Sequence, residues 1–140
     1  MRRIETEYVT THKVRFVYHY IAFLGEESIR AAEAAECADE QGALWEYMDT
    51  LFANQHGENQ GAFGDRYLKA FADGLRLDTL KFNACLDTRR YRDAVLKETQ
   101  EGRARGVQFT PTFFINGEKI EGLPREGFQQ KIEAALSHGG

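Results

Sequence analysis

The sequence predicts an α/β fold in which an all-helical segment interrupts a small sheet. Two stretches typical of strands, residues 14–21 and 112–121, lie far apart in the chain. The residues between them carry several amphipathic helical patterns, and another such pattern follows the second stretch. A chain of 140 residues is long enough to bury one hydrophobic core. We therefore expect a single domain over residues 1–140, with a helical insert over about 26–105.

The N-terminal part predicts a short helix followed by a strand. Residues 2–11 place Ile4 and Tyr8 four positions apart, on one helical face. This segment is short for an independent helix and is typical of the second half of a longer one. Residues 14–21 carry β-branched and aromatic side chains on both faces of an extended chain, which predicts a strand covered on both faces.

The insert is predicted to contain five helices. The first covers residues 26–41, with two glutamates at its start, where a helix carries partial positive charge. The others are expected over 44–54, over 65–72, from an N-capping Asp78 onward, and over 89–105.

The sequence predicts that one group of side chains in the insert is buried and that another is exposed to solvent. The aromatic group is expected to lie in the insert core rather than to form a binding stripe. It consists of Trp45, Tyr47 and Phe52. The acidic group is spaced along one side of the first insert helix and predicts a solvated face. It consists of Glu33, Glu36 and Glu40.

The segment 110–117 reads Thr-Pro-Thr-Phe-Phe-Ile-Asn-Gly. Proline cannot donate to a sheet, so Pro111 is expected at the first residue of a strand or on an edge. An X-Pro bond is also the one peptide bond at which the cis form costs little. Asn116-Gly117 predicts a type I′ hairpin turn into a strand at 119–121, and a final helix is expected from about Pro124 to residue 136.

The order of these elements resembles a thioredoxin fold with a helical insert, as in the DsbA-like thiol-disulfide oxidoreductases. Residues 106–114 are similar to the family's Gly-Val-x-Gly-Thr-Pro-Thr-Phe-Phe, and residues 13–18 resemble its second strand. Residues 31–38, 44–47 and 82–86 resemble its insert helices. The similar patterns cover nearly the whole chain in the family's order.

The sequence departs from the family pattern in two places. Phe109 stands where the family commonly has glycine. The family's first strand and its C-x-x-C pair are absent, so we expect an N-terminally truncated form that begins just after the redox pair.

The resemblance implies that Phe109, Thr110 and Pro111 form a cis-proline loop that binds substrate. In the family this loop lies opposite the redox cysteines and offers backbone groups to an extended peptide, a form of strand addition. The alternative is that Pro111 starts an edge strand with an ordinary trans bond.

Cys37 and Cys85 are the only cysteines, and they fall in different predicted helices. Neither opens a helix, so neither has the electrostatic setting that activates a thiol. Three interpretations remain open. They are two buried free thiols, a structural disulfide as in some extracytoplasmic family members, or a pair with one redox-active member.

Composition excludes several other classes of function. The net charge of −4 provides no basic surface for nucleic acid. No apolar run has the length of a membrane span, and the N-terminus lacks the apolar core of a signal peptide. The four histidines and the carboxylates show no metal-ligand spacing, and we expect no cofactor.

Two functions follow from these observations. The first is a member of the DsbA-like disulfide oxidoreductases that is redox-inactive in this form, because it lacks the cysteine pair. The family consists of enzymes, so whether this chain is itself an enzyme stays undecided. The alternative is a non-catalytic thioredoxin-like module that binds peptides or a partner; a glutathione-using or isomerase relative is a weaker third hypothesis.

The partners expected from the resemblance are extended peptides or protein thiol substrates, in an extracytoplasmic compartment. The missing strand would leave two open sheet edges, and open edges recruit further chains. We therefore expect association of the chain with itself or with another chain, or direct pairing of residues 14–21 with residues 112–116.

Overall fold

The computed structural model describes residues 2–122 and 125–139. These residues form two compact units. The hairpin unit combines residues 1–19 with residues 103–140, and the helical unit covers residues 20–102.

The hairpin unit begins with the predicted N-terminal helix. Helix α1 (Arg2–Ile4) continues as a π-helical turn over Glu5–Val9. Tyr8 in this turn is buried against Phe128 and Ile132. The spacing of Ile4 and Tyr8 thus predicted the face that packs, because Ile4 also contacts this apolar cluster.

The helical unit contains the five helices that the sequence predicts. They are α2 (Glu26–Asp39), α3 (Leu44–Ala53), α4 (Asp65–Gly74), α5 (Thr79–Asp87) and α6 (Arg92–Ala104). Asp78 caps α5 as predicted, since the backbone N–H of Lys81 donates to its Oδ1 at 3.1 Å. Helix α6 begins three residues later than predicted, because Arg89 adopts a left-handed conformation with φ of 51°.

The prediction of a solvated acidic face on α2 is wrong for Glu33. Its side chain is 1% exposed, and both of its oxygens accept hydrogen bonds from arginines. Arg89 donates from Nη2 at 2.8 Å and from Nε at 3.2 Å, and Arg30 donates at 3.4 Å. Glu36 is partly buried, whereas Glu40 lies at the surface in an ion pair with Arg90.

The two arginines of this network also contact carboxylates nearer the surface. Arg30 pairs with Asp65 at 2.7 Å, and Arg89 pairs with Glu26. The guanidinium of Arg30 lowers the pKa of the Asp65 carboxyl, and the hydrogen bonds that Arg89 donates to Glu33 and Glu26 raise the pKa of Arg89. The network therefore ties α2 to α4 and to the turn after α5 by charged contacts.

The predicted aromatic core of the insert is confirmed for Tyr47 alone. Its ring is buried 5.5 Å from that of Phe82, and its hydroxyl donates to the carbonyl of Leu68 at 2.9 Å. Burial raises the pKa of this hydroxyl. Trp45 and Phe52 are both exposed, so their assignment to the core is wrong.

The predicted strand over residues 14–21 is not a strand in the structure. Burial alternates along residues 14–19, and Val17 is 49% exposed, so the segment is not covered on both faces. In the described part of the chain the sheet has two strands, neither of them in this segment. The predicted pairing of residues 14–21 with residues 112–116 is therefore also wrong.

The sheet is an antiparallel hairpin of β1 (Thr112–Ile115) and β2 (Glu118–Glu121). Asn116 and Gly117 form its turn, with φ of 48° and 88°. Positive φ at both positions is what a type I′ turn requires, which confirms the Asn-Gly prediction.

Helix α7 (Arg125–His138) packs against one face of this hairpin. The rings of Phe113 and Phe128 lie 4.7 Å apart, and Ile115 contacts the same cluster. This contact fixes the inner face of β1 and leaves its other face outward. The predicted helix start at Pro124 lies outside the described residues.

Candidate functional site

The loop before β1 carries a cis peptide bond, which joins Thr110 to Pro111. The hydroxyl of Thr112 donates to the carbonyl of Phe109, so a side chain of β1 stabilises the loop conformation. The N–H of Gly122 donates to the carbonyl of Pro111 at 3.2 Å, which extends the hairpin pairing to the loop. Phe109, Thr110 and Pro111 are all exposed.

The register of the hairpin determines which backbone groups of β1 face outward. Ile115 pairs with Glu118 across the two-residue turn, and hydrogen-bonded pairs alternate with non-bonded pairs along an antiparallel ladder. The bond from Gly122 to Pro111 follows this alternation. The N–H and C=O groups of Thr112 and Phe114 therefore point away from β2. Among the described residues no other strand covers this outer edge.

The outward face of the hairpin combines an aromatic ring with charged groups. The guanidinium of Arg105 lies 5.1 Å from the ring centroid of Phe114, a cation–π contact. The ammonium of Lys119 donates to the carbonyl of Gly106 at 3.0 Å and pairs with Glu121 at 2.6 Å. These contacts anchor the segment that leads from α6 to the cis bond.

The structure joins Cys37 and Cys85 in a disulfide between α2 and α5. Their Cα atoms are 5.9 Å apart, and the two residues are 1% and 0% exposed. The sequence left three interpretations of the two cysteines open, and the structure agrees with the structural disulfide. Neither sulfur is accessible to a substrate thiol.

The structure brings together the three loop residues that the resemblance implied and keeps the two cysteines in the other unit. Sequence reasoning missed Arg105 as part of the candidate site, whereas it did predict an open edge beside the cis-proline strand as a surface for association. The alternation of inward and outward residues along β1 could have indicated Phe114, but no local pattern predicts the Arg105 contact.

The described residues hold no cluster of histidine, cysteine and carboxylate side chains suited to a metal ion. Within those same residues, no helix combines the length and apolar character needed to cross a membrane.

The curated proteins that are similar to this chain include two kinds. The Na(+)/H(+) antiporter NhaA of Herminiimonas arsenicoxydans is 35% identical over 92 residues, which are 66% of this chain and 14% of the antiporter. Disulfide bond formation protein D of Bacillus subtilis is 26% identical over 126 residues, which cover 85% of this chain and 55% of the relative. The chain thus spans about a seventh of the antiporter and about half of the disulfide bond formation protein.

A solved structure shares the fold. The chain matches oxidised BdbD from Bacillus subtilis with a TM-score of 0.86 and 21% identity, covering 98% of this chain and 76% of BdbD. This match confirms the predicted thioredoxin-like fold with its helical segment.

A family model described as thioredoxin matches residues 1–134, nearly the whole chain. The resemblance found in the cis-proline segment and the insert helices is therefore confirmed at the level of the family. The chain belongs to the thioredoxin family and has the DsbA-like form of its fold.

Proposed function

We propose that this chain serves thiol–disulfide chemistry as a substrate-docking unit that is redox-inactive by itself. An extended segment of a protein thiol substrate adds as a strand to the outer edge of β1, next to the Thr110–Pro111 loop. The name of the relative from Bacillus subtilis, disulfide bond formation protein D, supports the chemical context.

The observation that carries the docking proposal is the open edge of β1 directly after the cis bond. Thr112 and Phe114 direct their backbone donors and acceptors away from β2, and the loop before them is exposed. An open strand edge supplies affinity through main-chain hydrogen bonds, whatever the sequence of the peptide. The packing of Phe113 on Phe128 holds this edge in place before a ligand arrives.

The proposal of redox inactivity depends on the cysteines. Thiol–disulfide exchange needs a thiolate that can approach the substrate disulfide. Cys37 and Cys85 are bonded to each other and buried, and the sequence contains no C-x-x-C pair.

We expect the purified chain not to accelerate the reduction of insulin by dithiothreitol above the uncatalysed rate. The physical reason is the absence of an accessible thiolate. The measurement is the turbidity of precipitating insulin B chain, with a thioredoxin that has an intact C-x-x-C as the positive control. Clear turnover by this chain would overturn its proposed inactivity.

Docking at β1 is tested by substituting the outward-facing residue Phe114. Phe114→Pro removes an N–H that points to the open edge and is expected to weaken binding of a short blocked Thr/Val peptide by roughly tenfold. Phe114→Val keeps the N–H and the strand propensity, so its loss should be clearly smaller. The measurement is an NMR titration of the labelled chain.

The amide spectrum of each Phe114 variant shows whether the fold is retained. Equal affinities of two folded variants would contradict strand addition at this edge. A wild-type amide spectrum that does not change when excess peptide is added would also contradict strand addition.

The disulfide between Cys37 and Cys85 supports a proposal about the compartment. Because disulfides persist in oxidising surroundings, we propose an extracytoplasmic location for the chain. Self-association through the edge of β1 stays a prediction, and a bound substrate segment would compete with it because both use the same groups.

A further inference from the structure

The exposed side chains before the cis bond point to a preference among the segments that dock at β1. Phe109 is 65% exposed, although its backbone is held by the hydroxyl of Thr112. An ordered backbone presents the ring in a defined place, so a ligand side chain that packs on it loses little additional loop entropy.

Exposure alone does not distinguish Phe109. Single exposed aromatic residues are common on protein surfaces. Phe52 on α3 has the same exposed fraction, 65%, but it lies on the helical unit. Phe109 differs because it lies in the loop that carries the cis bond, three residues before the open edge of β1.

Arg105 adds a charge to the same segment. Its guanidinium contacts the ring of Phe114, and none of the described carboxylates forms an ion pair with it. The neighbouring Lys119 is already paired with Glu121. The chain has a net charge of −4, so Arg105 is a local positive charge on an acidic protein. A carboxylate on a docked segment would complement it.

We infer that the site selects extended segments that carry a large apolar side chain next to acidic residues. The apolar side chain packs on Phe109, and a carboxylate pairs with Arg105. This inference rests on the docking function proposed above and names the class of segment that docks.

The test uses blocked Thr/Val peptides that differ in two features only, the central residue and the residues that flank it. The central residue is phenylalanine or alanine, and the flanking residues are glutamate or lysine. We expect wild-type protein to bind the central-phenylalanine peptide about threefold to tenfold more tightly than its alanine counterpart. Glutamate flanks should bind more tightly than lysine flanks, and this advantage should shrink at high salt.

Three variants separate the two contributions. Phe109→Ala should remove the preference for phenylalanine and keep the preference for glutamate. Arg105→Gln should remove the preference for glutamate and keep the preference for phenylalanine. Phe52→Ala, with its equal exposure in the other unit, should change neither preference.

The outcomes distinguish this inference from the function on which it rests. If wild-type protein binds all four peptides with equal affinity, the selectivity is wrong and the docking function stands. If Phe109→Ala and Phe52→Ala have the same effect, the role of Phe109 is wrong. If none of the peptides binds, the docking function and the selectivity both fail.

Discussion

Replacing Glu33 by alanine is expected to lower the free energy of unfolding by about 3 kcal/mol. Removing one partner of a buried ion pair leaves an uncompensated charge, which costs roughly 3–5 kcal/mol. Arg30, only 11% exposed at its side chain, loses one of its carboxylates in this variant. We expect the lower end of the range because Arg89 is one-third exposed and keeps its contact with Glu26. Urea denaturation followed by circular dichroism measures the change.

The matched control is Glu40→Ala on the same helix. Glu40 accepts two hydrogen bonds from Arg90, but both side chains are partly exposed. Surface ion pairs of this kind contribute about 1 kcal/mol or less. If Glu33→Ala is no more destabilising than Glu40→Ala, the buried network does not stabilise the helical unit.

Removal of the disulfide is the second change with a large expected effect. Cys37 and Cys85 are 48 residues apart, and the chain-entropy model assigns a cross-link of that span about 4 kcal/mol. The variant Cys37→Ala with Cys85→Ala should therefore unfold at a much lower urea concentration than the oxidised protein.

Reduced wild-type protein separates the cross-link from the volume of the sulfur atoms. It keeps both side chains and lacks only the bond, so we expect most of the loss to appear on reduction alone. A thiol count on denatured, unreduced protein should be zero. Two free thiols, or equal stability of the oxidised and reduced forms, would contradict a stabilising disulfide.

The sequence predicted the elements whose signals are local. The periodicity of α2 to α6, the cap at Asp78 and the Asn116-Gly117 turn depend on residues a few positions apart, and all are present. The cis bond before Pro111 was implied by the resemblance of residues 106–114 to the family's segment, with a trans bond as the alternative, and the structure has the cis form.

The features that were wrong or missed depend on contacts between distant segments. Glu33 fits a solvated face until Arg89, 56 residues away, is placed against it. Residues 14–21 have strand composition, but a strand also needs a partner, which composition does not specify. Whether Cys37 and Cys85 are bonded to each other was likewise open, because spacing alone does not define a disulfide.

The central claim is that an extended segment adds to the outer edge of β1, and amide hydrogen exchange with a saturating Thr/Val peptide tests it most directly. Adding a strand should protect the N–H groups of Thr112 and Phe114, which face away from β2. Protection at Phe113 and Ile115 should stay unchanged, because their N–H groups already bond to β2. Unchanged exchange at Thr112 and Phe114 with the peptide bound would contradict the claim.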